Sequence, residues 1–277
     1  MKTPAEESFL RTFHAEHPAA TSRSLSRGRD ATGRSSYQLL SDLVAGRRRV
    51  LDLGCGDGVL LEEVAAGTPV GDRELSGVDL SPDDLALARR RPALAGATLL
   101  EARAQDLPFP DDHFDACVSH MALMLMNDVD RVAAELARVL APGGLLALAL
   151  GGGPAGGEAY ELFIALTRPV VDAAPASDRI PRMGDPRTRE RAGLDAILTP
   201  AGFAPVTWDT VRIDLSGPLD DVWVSLSTLY DLGLLPAAAI DALRETFTAG
   251  AASLALPDGT IPCAMNMRIA TTSLAGT

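Results

Sequence analysis

The chain has 277 residues and a formal net charge of −12. An acidic chain of this kind lacks the basic face that a nucleic-acid backbone requires, which excludes that class of partner. The length suffices for one large α/β domain with an insertion or for two small ones, and the hydrophobic share of 47% fits a globular enzyme with a sizeable core. The longest clean apolar run, Leu145 to Leu150, is far too short to cross a membrane.

Glu6, Glu7, Arg11 and His14 interrupt any apolar signal core, so a cytoplasmic protein is expected. Residues 4–17 read as an amphipathic helix with Phe9, Leu10 and Phe13 on its apolar side, ended by Pro18. Residues 18–33 are rich in Ser, Thr, Arg and Gly and read as a loop. Ser35 to Ala45 reads as a second helix, with Tyr37, Leu39, Leu40, Leu43 and Val44 as packing residues. Both helices are expected to lie across the open end of a sheet.

A βα alternation then begins. Arg49 to Leu53 is the first strand, residues 59–66 the first helix and Leu75 to Leu80 the second strand. Ser81-Pro82-Asp83-Asp84 is a helix start, with an N-cap hydroxyl, proline at the first position and acids in the first turn. Ala97 to Ala102 and Phe114 to His120 are the third and fourth strands. Asp128 to Leu140 is a helix stopped by Pro142-Gly143-Gly144, and Leu145 to Leu150 is a central parallel strand. Right-handed crossovers give a doubly wound sheet with ligands at the carboxyl ends of its strands. Gly151 to Gly157 reads as a flexible loop and residues 174–187 as another. Helices are expected at 158–173, 189–201, 219–232 and 236–252, and strands at 206–215 and 260–271.

The first strand runs straight into Gly54-Cys55-Gly56-Asp57-Gly58. Alternate glycines permit positive φ and close backbone approach to a ligand, and the helix that follows offers unpaired N–H groups. The dinucleotide pattern G-x-G-x-x-G would place its third glycine at position 59, which is Val59. A tight turn with Asp52 on the strand suits a ligand with a cationic amine better than a pyrophosphate. Asp79 closes the second strand 21 residues beyond Gly58, where an acid accepts both hydrogens of a ribose diol.

The stretch Val50 to Gly58 resembles motif I of the class I S-adenosylmethionine (SAM) dependent methyltransferases, and the resemblance extends over residues 48–150. It implies an α/β, Rossmann-like, doubly wound sheet of seven strands with the last strand antiparallel. It implies SAM as cofactor, held by Asp52, Gly54, Cys55, Gly56, Asp79, Leu80 and Ser119. Gln105 to Asp115 is similar to the family segment that holds the adenine, with Asp106 accepting from the exocyclic amine and Leu107 packing on the ring. Asp111, Asp112 and Asp115 read as turn formers, and no metal site is expected, because adjacent residues on a turn rarely converge on one ion. The domain plan is an N-terminal helical lid over residues 1–46 and a methyltransferase domain over 47–277, with helical caps near 155–187 and 219–252.

Methyl transfer from SAM needs mainly orientation and desolvation from the protein. A base must stand at the strand ends, and His120 is the best-placed candidate, since an unperturbed imidazole suits the task. Tyr37 and His14, on the first two helices, are further candidates. Phe13, Met121, Met124, Tyr160, Trp223 and Tyr230 are candidate substrate contacts. The expected partner is a small aromatic molecule, with self-association into a homodimer as a further expectation and neither nucleic acid nor membrane as a partner. The N-terminal segments Ser8 to Pro18 and Gly33 to Leu40 resemble bacterial small-molecule methyltransferases of secondary metabolism, among them enzymes that methylate indole at C3 and close a pyrroloindoline. O- or N-methylation of another metabolite and non-catalytic SAM binding remain alternatives. Cys55, Cys117 and Cys263 share no short spacing and read as buried free thiols.

Overall fold

The computed structural model describes residues 4–67, 73–156, 158–228 and 230–276. Three helices, α1 (Ala5–Glu16), α2 (Ala20–Leu25) and α3 (Ser36–Leu43), precede the sheet. The sheet strands are β1 (Arg49–Leu53), β2 (Glu74–Asp79), β3 (Thr98–Glu101), β4 (Phe114–His120), β5 (Leu140–Pro154), β6 (Thr207–Asp214) and β7 (Ala264–Ser273). They form one seven-stranded sheet in the order β3-β2-β1-β4-β5-β7-β6. β1 pairs in parallel with β2 and β4, whereas β7 runs antiparallel to both β5 and β6. This is the expected Rossmann-like sheet with its last strand reversed, and the order turns at β1 and β4, where a doubly wound sheet opens a crevice.

The crossover helices are α4 (Val59–Ala66), α5 (Pro82–Ala88) and α6 (Val129–Val139). α4 begins at Gly58, in the left-handed region at φ 82°. α5 begins as the sequence predicts, Ser81 Oγ accepting from Asp84 N at 3.1 Å with Pro82 in the first turn. α3 carries a full capping box, Ser35 and Gln38 each bonding the other's backbone N–H. Val50, Leu51 and Leu53 of β1 and Cys117 and Val118 of β4 are fully buried, as continuous apolar strands in the middle of a parallel sheet should be. Ser119 Oγ donates to Leu53 O at 2.7 Å and ties β4 to the end of β1.

Beyond β5 come α7 (Ala159–Ala173), α8 (Arg191–Leu198), α9 (Leu219–Ser227) and α10 (Ala237–Ala252); α7, α9 and α10 pack together as a cap cluster, while α8 lies against α6. Trp223 of α9 meets Phe163 of α7 and Phe247 of α10 at ring separations of 6.0 and 5.5 Å, and all three rings are buried.

Three expectations fail. Residues 18–33 are not all loop, because α2 forms among them. Its Ser-rich sequence has little propensity of its own, but Ala20, Ser24 and Leu25 are buried and Ser24 Oγ donates to Ser225 O of α9. Pro142-Gly143-Gly144 does not separate helix from strand, because β5 already starts at Leu140 and absorbs these residues as a bulge. Gly151 to Pro154 is strand rather than flexible loop, with Gly151 opposite Met267 and Pro154 opposite Met265; Gly157 lies outside the described residues. In both places partner pairing overrides local turn chemistry. Asp115 is also more than a turn former, since its carboxylate accepts from Arg48 N and Arg49 N and seats the start of β1.

Candidate active site

The carboxyl ends of β1, β2 and β4 open into a pocket of about 1160 Å³, its mouth included. Its floor is the glycine turn. Gly54 N and Cys55 N both donate to Val78 O, at 2.9 and 3.0 Å, which fastens the turn to β2. Gly54 and Gly56 take φ of 76° and 51°. Their reasons differ. A Cβ on Gly54 would stand 2.4 Å from Ala122 Cβ, so packing demands glycine there. A Cβ on Gly56 would meet no atom within 4 Å, so it would project into open pocket.

Two carboxylates face this floor. Asp52 is buried and neither of its oxygens has a hydrogen-bond partner. Burial, then the charges of Asp79 and Asp57, pushes its carboxyl well above the usual range. An orphaned buried carboxylate of this kind is costly unless a ligand donates to it. Asp79 Oδ2 accepts from Gly56 N and Oδ1 from Ser81 N, both at 2.8 Å. Each oxygen keeps a free lone pair, and burial raises its pKa against those two backbone bonds. Asp57 is already engaged, with Arg91 at 2.7 Å and Ser22 Oγ at 3.0 Å.

The N-terminal helices form the opposite wall. Glu6, Glu7, Leu10, His14 and residues 19–22 line the same pocket as the glycine turn. Glu7 pairs with Arg103 and Glu6 accepts from Asn127 Nδ2, so α1 is tied to the loops after β3 and β4. Asp84 Oδ1 accepts from Ala19 N at 2.7 Å and holds the turn between α1 and α2.

The pocket brings together Asp52, Gly54, Cys55, Gly56, Asp79, Leu80, His14, Tyr37, His120, Met121 and Tyr230. It leaves out the others. Asp106 is exposed and Leu107 turns into the core, its N–H donating to Glu135 Oε2 at 2.7 Å. Ala104 and Gln105 stand at the pocket instead. The expected adenine contacts of Asp106 and Leu107 therefore do not hold. Ser119 also lies outside the lining, because alternation along β4 sends its side chain away from the face that His120 occupies. Phe13 packs on Phe9 and Tyr230, at 5.8 and 4.8 Å, behind the wall. Met124 Sδ accepts from Gly151 N, Trp223 belongs to the cap cluster and Tyr160 packs against the main core, so none of the three is a pocket residue.

His120 is buried between α3 and β4. Its ring stacks on Tyr37 at 4.0 Å, Nε2 lies 2.8 Å from Ser36 Oγ, and Nδ1 has no partner. Burial pushes its pKa down to about 3. The imidazole is therefore neutral and weakly basic in this structure, which disfavours the expected base role and favours one of contact. The Tyr37 phenol is pushed up by burial and by Asp57 and Asp52, and stays protonated. Among the described residues no group of three or more His, Cys, Asp or Glu converges as metal ligands would.

The sequence reading missed Ala104, Asn127, Glu6 and the 19–22 turn, and it included Gln105 in the adenine-holding segment without giving it a contact.

Residues 51–148 match the family model described as a methyltransferase domain. A fatty-acid O-methyltransferase of Mycolicibacterium smegmatis is 37% identical over 119 residues, which is 42% of this chain and 43% of that protein. A demethylmenaquinone methyltransferase of Thermus thermophilus is 41% identical over 104 residues, 36% of this chain and 45% of that protein. The chain thus spans less than half the length of these curated relatives. Among solved structures, the phosphoethanolamine N-methyltransferase 2 of Haemonchus contortus, in complex with S-adenosylhomocysteine, shares the fold at TM-score 0.58 and 16% identity, covering 99% of this chain and 61% of that one.

Proposed function

We propose that the chain is a class I SAM-dependent methyltransferase, as its match to the methyltransferase-domain model over residues 51–148 supports, and that it transfers a methyl group from SAM to a small, largely apolar aromatic molecule. The observation that carries this reading is the orphaned Asp52 carboxylate at the end of β1, beside open space over Gly56. Those groups fit SAM: a cationic amine completes Asp52, and a ribose diol completes Asp79. When bound, SAM supplies an electrophilic methyl on a sulfonium. The residues of the chain orient, desolvate and exclude water around it, with α1 and α2 forming the roof.

Tyr37, His120 and Met121 stand together on the wall that joins α3 to the end of β4, and Ala122, Leu125 and Met126 continue it. This apolar wall favours an aromatic acceptor. His120 offers no basicity there, which favours a nucleophile that reacts without a strong base, and methylation at indole C3 is the best fit. O-methylation is the second reading, supported by the name of the Mycolicibacterium relative. Calorimetry with SAM and with NAD tests the cofactor: binding of NAD in place of SAM would overturn the reading. Turnover with tryptophan-derived amides, phenols, catechols and amines tests the acceptor, and methylation confined to phenolic oxygen would remove the indole.

A further inference from the structure

Three side chains from distant parts of the chain form a line beside Asp79. Asp84, in the first turn of α5, has Oδ2 2.7 Å from His14 Nδ1, a close contact bent away from a straight hydrogen bond. His14 Nε2 lies 2.9 Å from the Tyr230 hydroxyl. His14 is on α1, Tyr230 on a short 3-10 turn (Tyr230–Leu232) that follows α9, and 216 residues separate them. Asp79, Leu80, Ser81, Asp84, His14 and Tyr230 all line the pocket.

We propose that His14 and Tyr230 complete the ribose subsite opposite Asp79, so that the lid and the cap carry half of the sugar's hydrogen bonds. The inference rests on SAM being the cofactor. Its geometry is that of a polarised chain. Asp84 favours the proton of His14 on Nδ1, which leaves Nε2 to accept from the Tyr230 hydroxyl. The phenol oxygen, which also accepts from the Thr21 side chain, then keeps one lone pair for a sugar hydroxyl, while Asp79 offers two lone pairs from the sheet side. Burial and the Asp79 and Asp84 carboxylates push the phenol upward, so it remains a neutral hydroxyl rather than an anion that would repel those acids. Tyr230 is also fixed from behind, with Phe9 and Phe13 at 6.3 and 4.8 Å. Its hydroxyl is therefore oriented before any ligand arrives.

In this arrangement cofactor binding and roof closure are one event, since the sugar bridges β2 to α1 and to the cap. Tyr230 and His14 are positioning residues for the cofactor and take no part in proton removal from the acceptor.

The test is calorimetry of the full chain with S-adenosylhomocysteine and with its 2′-deoxy and 3′-deoxy analogues. Tyr230→Phe, which keeps the ring packing, should weaken S-adenosylhomocysteine roughly tenfold, the scale of one hydrogen bond. It should cost nothing further for the deoxy analogue that lacks the hydroxyl it meets. His14→Gln should show the same pattern to a smaller degree, and serves alone if Tyr230→Phe does not fold as judged by thermal melting. Equal losses for the parent and both analogues, or no loss at all, would overturn the proposal while leaving the SAM assignment standing. Failure of the wild-type chain to bind S-adenosylhomocysteine would overturn both.

Discussion

His120 Nε2 and Ser36 Oγ face each other at 2.8 Å inside the pocket wall. The bond joins the strand that ends at the site to α3 beside it, and with Tyr37 stacked on the ring it fixes His120 as a neutral wall residue. His120→Asn should therefore lower kcat far less than the factor of about 10²–10⁴ expected on removal of a general base. Steady-state kinetics on a confirmed substrate would settle this, and a loss of that full size with SAM affinity intact would return the base role to His120.

The same burial has a pH signature. The folded pKa of His120, about 3, lies below the 6.5 of an unperturbed imidazole. The unfolded chain then binds the extra proton between these values, so this group's contribution falls as pH drops below 6.5 and bottoms out near 3. The slope approaches about 1.4 kcal/mol per pH unit at most. Asp52 and Asp79 act in the opposite sense, since their raised folded values make stability fall as pH rises above the ordinary carboxylate range. Urea titrations of wild type and His120→Asn at pH 4.5 and 7.5 should show a shallower acid loss in the variant. An identical loss would mean that the imidazole is not buried in its neutral form.

Asp52 predicts a trade between stability and binding. Asp52→Asn removes a buried carboxylate that nothing in the fold satisfies. The apo protein should gain about 1–2 kcal/mol at pH 7.5, seen as a Tm higher by a few degrees, while SAM affinity collapses. A variant that binds SAM as well as wild type would dissociate Asp52 from the amine.

Asp79 differs because it already holds Gly56 N and Ser81 N. Asp79→Ala frees the glycine turn as well as the ligand and should cost SAM binding on the order of 1–3 kcal/mol. Asp79→Asn keeps one acceptor and should cost less. Equal affinities for wild type and Asp79→Ala by calorimetry would remove Asp79 from the ribose role.

The two inner glycines should separate folding from binding. Gly56→Ala meets no neighbour and pays only for its left-handed backbone, roughly 1–2 kcal/mol, yet should block the cofactor. Gly54→Ala collides with Ala122 Cβ and should lower Tm more. If Gly56→Ala bound SAM normally, the turn would be structural only.

The βα alternation was legible because its signals are local: Ser81-Pro82 starts α5 and apolar runs mark β1 and β4 as the structure has them. What was not legible depends on partners. α2 exists because Ser24 and Leu25 are buried, and β5 runs through glycines because β7 lies beside it. At the site, Asp52 and Asp79 follow from strand ends, but side-chain direction decides the rest. Trp223, Met124 and Phe13 have the composition of pocket residues and face other side chains. Asp106 faces water, one position away from Gln105, which faces the pocket.

The pairing of His14 with Tyr230 also sets the order in which the chain can be finished during synthesis. The apolar side of α1, Phe9 and Phe13, packs on a ring that emerges from the ribosome 216 residues later than His14. At about 5–20 residues per second, that interval is roughly 10–40 s. Throughout it α1 presents Phe9 and Phe13 without the Tyr230 ring that packs on them. The nascent chain thus holds part of an amphipathic face open until the segment carrying Tyr230 has been made.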